Sequence, residues 1–289
     1  MTKQFTGTIV YRGPSMLDGA SIVAILTYSS RNAKTGPMAQ LWIIRDDIHP
    51  LDARETGKDA SICGDCRHRG GSCYVNIGQA PAAVFRGLQR GIYPVASDIA
   101  SEGAGRIIRL GAYGDPAAVP VNVIAALLSR AAAWTGYSHQ WQDARFAPLA
   151  RWCMASVDTP EEYWQAIAAG WRAFRVRTSE QTLAAGEIVC PASDEGGKRT
   201  QCAACKLCGG NSKAAAKSIA IVAHGKGAKR FAATVDACPP PANKEKRTCR
   251  TIFTWNLAPL LREKPVNLAA GIARWPLSSW SPDLKAYPK

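Results

Sequence analysis

Several things that would assign this chain to a class at once are missing. No apolar run approaches the ~18–20 residues needed to span a bilayer, so no membrane segment is expected. The opening stretch, MTKQFTGTIVYRG, carries charge but no apolar core of the kind that heads a secretory signal. Residence in a reducing cytoplasm is the expectation that follows. There is no GxxxxGK followed by Ser or Thr, so no phosphate-cradling loop of the nucleoside-triphosphatase kind is read, and no GxSxG, so nothing points to a serine hydrolase. No internal repeat is found. Carboxylates are in deficit, with 22 Asp and Glu against 36 Lys and Arg and a formal net charge of +14.

What is present is length, an ordinary apolar fraction and an unusual number of thiols. At 289 residues and 47% hydrophobic content the chain can bury a sizeable core, as one large domain or a domain with an appendage. It has ten cysteines. In a small secreted protein they would be read as disulfides; clustered in a cytosolic chain they point to metal or redox chemistry. Seven fall into two groups, Cys63, Cys66, Cys73 and Cys190, Cys202, Cys205, Cys208. Cys153, Cys238 and Cys249 stand apart, as small buried hydrophobes would. Charge is also unevenly placed. Between Lys198 and Arg250 twelve Lys and Arg face two acids, Asp236 and Glu245, so this segment carries +10 of the +14. Such a stretch attracts phosphate backbones, or is simply a solvated basic face.

The pattern of apolar residues predicts three regions. Residues 1–46 contain the β-branched runs FTGTIVYR, ASIVAILTYSS and MAQLWIIRDD, separated by turn-formers, as in an antiparallel β segment. Residues 47–237 form an α/β core. A long loop over 47–79 holds the first cysteine group, and a short helix, QAPAAVFRGLQRG, follows. Strand, turn and helix then alternate from Arg106, through RIIRLGAYG, VNVIAALLSRAAAW, GYSHQW, RWCMASVD, EEYWQAIAAGW, AFRVRTS, EIVCPAS and SIAIVAHG. Thr159, Pro160 and Glu162 have the spacing of an N-cap, a first helical proline and a capping box. Alternation of this kind implies a parallel sheet, here a partial or complete (βα) barrel with cysteine-rich metal-binding loops. Residues 238–289 open on a Pro- and Lys-rich stretch, carry three tryptophans, and are expected to pack back on the core.

The second cysteine group carries the stronger signal. Cys202, Cys205 and Cys208 form C-x2-C-x2-C with Cys190 upstream, and four thiolates complete a zinc site or hold an iron–sulfur cluster. The tight run is closer to ferredoxin spacing than to paired zinc knuckles. The first group supplies three thiolates. With His68 as a fourth ligand it would make a closed structural zinc site; without it, one metal position stays open for chemistry. Gly111, Gly114 and Asp115 end a strand and enter the turn GDP, where an α/β sheet usually faces its ligand; Asp115 could equally cap the turn that follows.

Taken together, the loop cysteines with Tyr74 after the third of them, and Gly114-Asp115-Pro116 where the family has Gly-Glu-Pro, resemble the radical S-adenosylmethionine superfamily. The distal four-cysteine group resembles the auxiliary clusters of some members. More narrowly, CGDC…CY, GAYGDPAAVP, ASVD…GWRAFRV and CPA…CxxCxxC, over residues 60–225, are similar to an uncharacterised family of tailed-phage proteins. That likeness brings no activity, though a phage protein would work in the host cytoplasm. The superfamily spacing is C-x3-C-x2-C, whereas here it is C-x2-C-x6-C. The resemblance implies a 4Fe–4S cluster on Cys63, Cys66 and Cys73 with one iron free for S-adenosylmethionine. Gly111, Gly114, Asp115 and Tyr74 would then lie about the cofactor, and one-electron reduction would start the reaction.

Further candidates close predicted strands. Tyr137, His139 and Trp141 would line the crevice if alternate side chains of their strand point inward. Asp158 ends WCMASVD, where a barrel places polar site residues or a helix cap, and Asp115, Asp158 and His139 are the catalytic candidates. His224 lies beside GKGAKR, which would meet phosphate. Three functions remain open. The first is an iron–sulfur enzyme acting on nucleic acid or nucleotide, the second a zinc-stabilised nucleic-acid-binding or processing protein, and the third a metal-stabilised interaction protein.

Overall fold

Three apolar runs open the chain and pair in order. In the computed structural model, which describes residues 6–30, 32–213, 217–225 and 227–236, they form β1 (Gly7–Pro14), β2 (Ser21–Thr27) and β3 (Ala39–Arg45), joined antiparallel. The β2 residues Ile22 to Leu26 are wholly out of solvent, as an uninterrupted apolar run requires when both faces of a sheet are covered. The predicted N-terminal β segment is therefore present. The predicted extension 238–289, with Cys238, Cys249 and the last part of the basic stretch, lies outside the described residues.

The loop expected over 47–79 contains two short helices, α1 (Pro50–Glu55) and α2 (Ala60–Cys63). Neither shows helical periodicity long enough to read. After them come α3 (Ala80–Gln89), α4 (Ile99–Gly103) and β4 (Ile107–Tyr113), which lies parallel to β3. Helix α5 (Val121–Leu128) leads to β5 (Ala133–Thr135), parallel to β4. These five strands make one mixed sheet in the order β1-β2-β3-β4-β5.

One residue separates β5 from β6 (Tyr137–Ser138), the first strand of a second sheet. That residue is Gly136. A Cβ there would stand 2.8 Å from Cys153 Sγ and 3.1 Å from Leu110 Cδ1, so only glycine lets the chain pass from one sheet to the other this closely. The second sheet continues with β7 (Met154–Val157), α6 (Pro160–Ala168), β8 (Ala173–Arg177), β9 (Glu187–Val189), α7 (Cys202–Cys205) and β10 (Ser218–Val222). Its order is β6-β7-β8-β10-β9 and every pair is parallel. A last helix, α8, covers Ala228–Asp236. The described residues thus form a mixed α/β structure with two sheets, one mixed and one parallel. No helix among the described residues is long and apolar enough to cross a membrane.

Local chemistry explains the sharper boundaries. Thr159 caps α6 by accepting from the Glu162 amide at 3.1 Å, Pro160 occupies the first helical position, and the Glu162 carboxylate accepts from the Asp158 amide at 2.8 Å. In the second sheet Arg175 donates to both carboxylate oxygens of Glu187, at 2.8 and 2.6 Å, with both side chains fully buried. The partners sit on β8 and β9 with β10 between them, where Ala220 is in register with Arg175 and Ser218 with Glu187, both small enough to be bridged.

Candidate metal centre and its cavity

The two cysteine groups lie 117 positions apart in sequence (Cys73 to Cys190), yet all of their thiols but that of Cys63 line one cavity of about 370 Å³. Its floor is the inner face of the sheets. Alternate residues Thr135, Tyr137 and His139 point in, as do Phe174 and Val176 of β8 and Ile219 and Ile221 of β10, in the period of two that a strand dictates. Cys66 and Cys73 open into it from one side, and Cys190, Cys202, Cys205 and Cys208 from the other.

On the first side Cys63 ends α2 and the chain then turns through Gly64, whose φ of 54° is left-handed. A Cβ on Gly64 would fall 2.5 Å from the Gln140 amide, which itself donates to the Cys63 carbonyl at 3.2 Å. The loop is clamped by Arg69, which donates to the carbonyls of Gly64 (2.8 Å) and Gly57 (2.9 Å) and to the buried carboxylate of Asp59 (3.1 Å). Burial pushes the Cys63 thiol well up and that of Cys66 to about 12, and Cys73 adds to both. Cys73 moves the same way for the same leading reason. All seven grouped cysteines are free thiols. The Tyr113 hydroxyl faces this group. Its side chain is buried and the hydroxyl meets no partner among the described residues, while burial and the neighbouring Cys63 hold its proton on. An orphaned donor within reach of Cys63 and Cys73 suits sulfur that becomes anionic on taking up a metal.

On the second side Cys190 follows β9, and its amide donates to the Ala220 carbonyl at 2.8 Å. The CAAC turn is seated from outside by the β2–β3 loop, where the amides of Cys202 and Ala203 donate to the carbonyls of Lys34 and Thr35 at 3.0 Å each. Lys206 then takes a left-handed φ of 57° and redirects the chain to Cys208, whose carbonyl accepts from the Gly136 amide at 3.0 Å. Arg172 holds the loop from beneath through the carbonyls of Leu207 and Gly210. Burial pushes the Cys208 thiol up to about 12, although Tyr137 hydrogen-bonds it and pulls the other way. Among the described residues no three His, Cys, Asp or Glu side chains form a ready-made coordination sphere. The donor chemistry nevertheless fits an iron–sulfur or zinc centre on each side. Soft thiols are gathered, and Cys202 and Cys208 lie within electrostatic reach of their group, as Cys63 and Cys66 do of theirs.

The other expected residues divide by position. His139 and Tyr74 line the cavity, as do Tyr137 and His224. His68 also lines it, but its ring nitrogens are taken: Nδ1 is 2.7 Å from Ser72 Oγ and Nε2 is 3.1 Å from Asp158 Oδ1. Asp158 is buried beneath the loop, where it holds His68 and, at 3.3 Å, Arg67. Trp141 turns away into the core and donates to the Ser156 carbonyl. Gly111 and Gly114 serve the backbone, with φ of 62° and 82°; a Cβ on Gly114 would meet Ile43 at 2.7 Å. Asp115 is buried and accepts from the Ser138 hydroxyl (2.8 Å) and the amides of His139 (2.7 Å) and Ala117 (2.9 Å). Burial raises its carboxyl to about 6 against those three donors, and lowers the nearby His139 to about 4.

Arg109 and Tyr113 are the two residues that sequence reasoning passed over. A lone arginine inside the apolar run RIIRLGAYG was the available signal for the first; nothing marked the second. Arg109 donates to the Tyr74 hydroxyl at 2.6 Å, and Tyr74, with Tyr137 and Cys202, favours its charged form against burial. Compared with known proteins, the chain matches no family model, no curated protein and no solved structure.

Proposed function

We propose that the protein is a cysteine-ligated metalloprotein with two centres that share one reaction chamber. In this reading Cys63, Cys66 and Cys73 hold a cluster with one open position, and Cys190, Cys202, Cys205 and Cys208 hold a closed one. The sheets around them would be part of a barrel. The observation that carries it is the opening of both thiol groups into a single cavity. Bound iron–sulfur clusters supply one-electron chemistry, as in the radical S-adenosylmethionine enzymes that the sequence resembles. The chain's own residues do the rest. Asp158 and Arg69 fix the first loop, Tyr113 offers a hydrogen bond to its sulfurs, and Phe174, Val176 and Ile221 keep the chamber apolar so that water is poorly held there. His139, lowered by burial, is neutral at physiological pH and able to accept a hydrogen bond from a bound molecule. The substrate class in this reading is a nucleotide or nucleic acid, drawn by the basic stretch 198–250.

A second reading has support from the CAAC turn, whose left-handed Lys206 bends the chain from one pair of thiols toward the next. Such a turn suits a structural zinc site, and the protein would then be a zinc-built nucleic-acid-binding protein. Metal content and absorption of oxygen-free protein separate the two. Iron with sulfide, broad absorption near 400 nm, and loss of about half the iron in Cys63→Ala with the remainder lost on Cys208→Ala are expected. Two zinc ions and no iron would remove the redox reading.

A further inference from the structure

The described residues that line the shared cavity include no Asp and no Glu, while Lys34, Arg109 and Lys206 bring three basic side chains to it. A wider cavity of about 640 Å³ next to it shares Lys34 and His224 but does carry carboxylates, Asp194 and Glu195, so the lack is particular to the chamber between the thiol groups. Arg109 stands out. It comes from the middle of β4, its one hydrogen bond among the described residues ends on the Tyr74 hydroxyl, and its Nε is shut away from water without a partner. A guanidinium presents five donors in a planar fork matched to two oxygens of one anion, and that of Arg109 is half-buried with its Nε unmatched. The same lining carries aromatic rings, with Phe174 tilted against Tyr137 at 4.6 Å and Phe231 stacked on His68 at 5.6 Å.

We propose that the chamber binds a small anionic molecule with an aromatic body, its phosphate or carboxylate held by Arg109 and its ring against Phe174 and Phe231. This rests on the chamber being the place of chemistry and sharpens the substrate: a single molecule of nucleotide size enters, not a duplex. The cations would also offset the charge of thiolates, so the test must separate ligand from metal.

The probe is 1-anilinonaphthalene-8-sulfonate, an aromatic anion, beside uncharged N-phenyl-1-naphthylamine, on the full chain with its metal content measured in every sample. One sulfonate per chain is expected. Arg109→Gln should weaken its binding at least tenfold and leave the uncharged dye within twofold, whereas Arg109→Lys, which keeps the charge, should weaken it less. On the wild type, where no question of folding arises, adenosine monophosphate is compared with adenosine and benzoate with benzamide as displacers. At least one anion should exceed its uncharged partner tenfold, and the pair that does so identifies phosphate or carboxylate. Equal sulfonate binding in Arg109→Gln, or no advantage for either anion, overturns the proposal. So does loss of metal in Arg109→Gln with the anion preference intact, which would assign Arg109 to the metal centre. A wild type without metal sinks the metalloprotein reading alone, because the dyes need none.

Discussion

At the scale of single residues, the pair Asp115 and His139 shows how burial sets opposing demands. Their nearest side-chain atoms, Oδ2 and Nδ1, are 3.8 Å apart. Asp115 keeps its proton to about pH 6 when folded but releases it near its ordinary value when unfolded, so its stabilising effect is complete below that value and fades as pH rises through 6. His139 works the other way. Its folded form resists protonation down to about pH 4, so stability is complete above its ordinary value of 6.5 and fades as pH falls. Between pH 4 and 6 the two nearly offset each other. His139→Gln should therefore unmask Asp115, with stability rising, relative to wild type, by up to ~3 kcal/mol as pH falls from 6 to 4. Asp115→Asn should unmask His139 and give a relative fall over the same interval. Urea midpoints at pH 4, 5, 6 and 7 check both signs.

At the scale of elements, β8 and β9 are tied across β10 by Arg175 and Glu187. Glu187→Gln strands a buried guanidinium and should cost ~3–5 kcal/mol in denaturant unfolding, while Arg175→Met with Glu187→Leu should recover most of the loss. Reading elements from sequence succeeded where the signal was local. The three N-terminal strands announced themselves by β-branched runs between turns, and α6 by Thr159, Pro160 and Glu162. It failed where tertiary contacts decide. Helix α2 is four residues long, steadied by contacts such as the Gln140 amide on the Cys63 carbonyl from 77 positions away, and β6 shrinks to two residues because Gly136 ends one sheet and starts another. The cysteines were legible from their spacing alone. That Cys73 and Cys190 face the same space was not, since it depends on how the six strands β4 to β9 are arranged between them.

At the scale of the whole molecule, charge and cavity make different demands. A net +14 with +10 in one segment is a long-range field, felt by polyanions and weakened by salt, whereas the binding proposed for the chamber would depend on its shape and on Arg109. Should the basic stretch meet a phosphate backbone through six or more contacts, fluorescence anisotropy with a labelled single-stranded oligonucleotide will show affinity falling on the order of a thousandfold between 50 and 200 mM salt. The dye affinities of the chamber should change far less over the same range.

The last described helix has a further bearing. Gly227 packs so closely on Ser72 that a Cβ would stand 2.7 Å from its carbonyl oxygen, and Phe231 stacks on His68. The wall over the first thiol loop thus comes from residues made more than 150 positions after it. During synthesis every one of the seven thiols has emerged before that wall can form. Time then does what no opening in the finished molecule has to do: a centre can be installed while the chamber is still unroofed, and α8 closes over it afterwards.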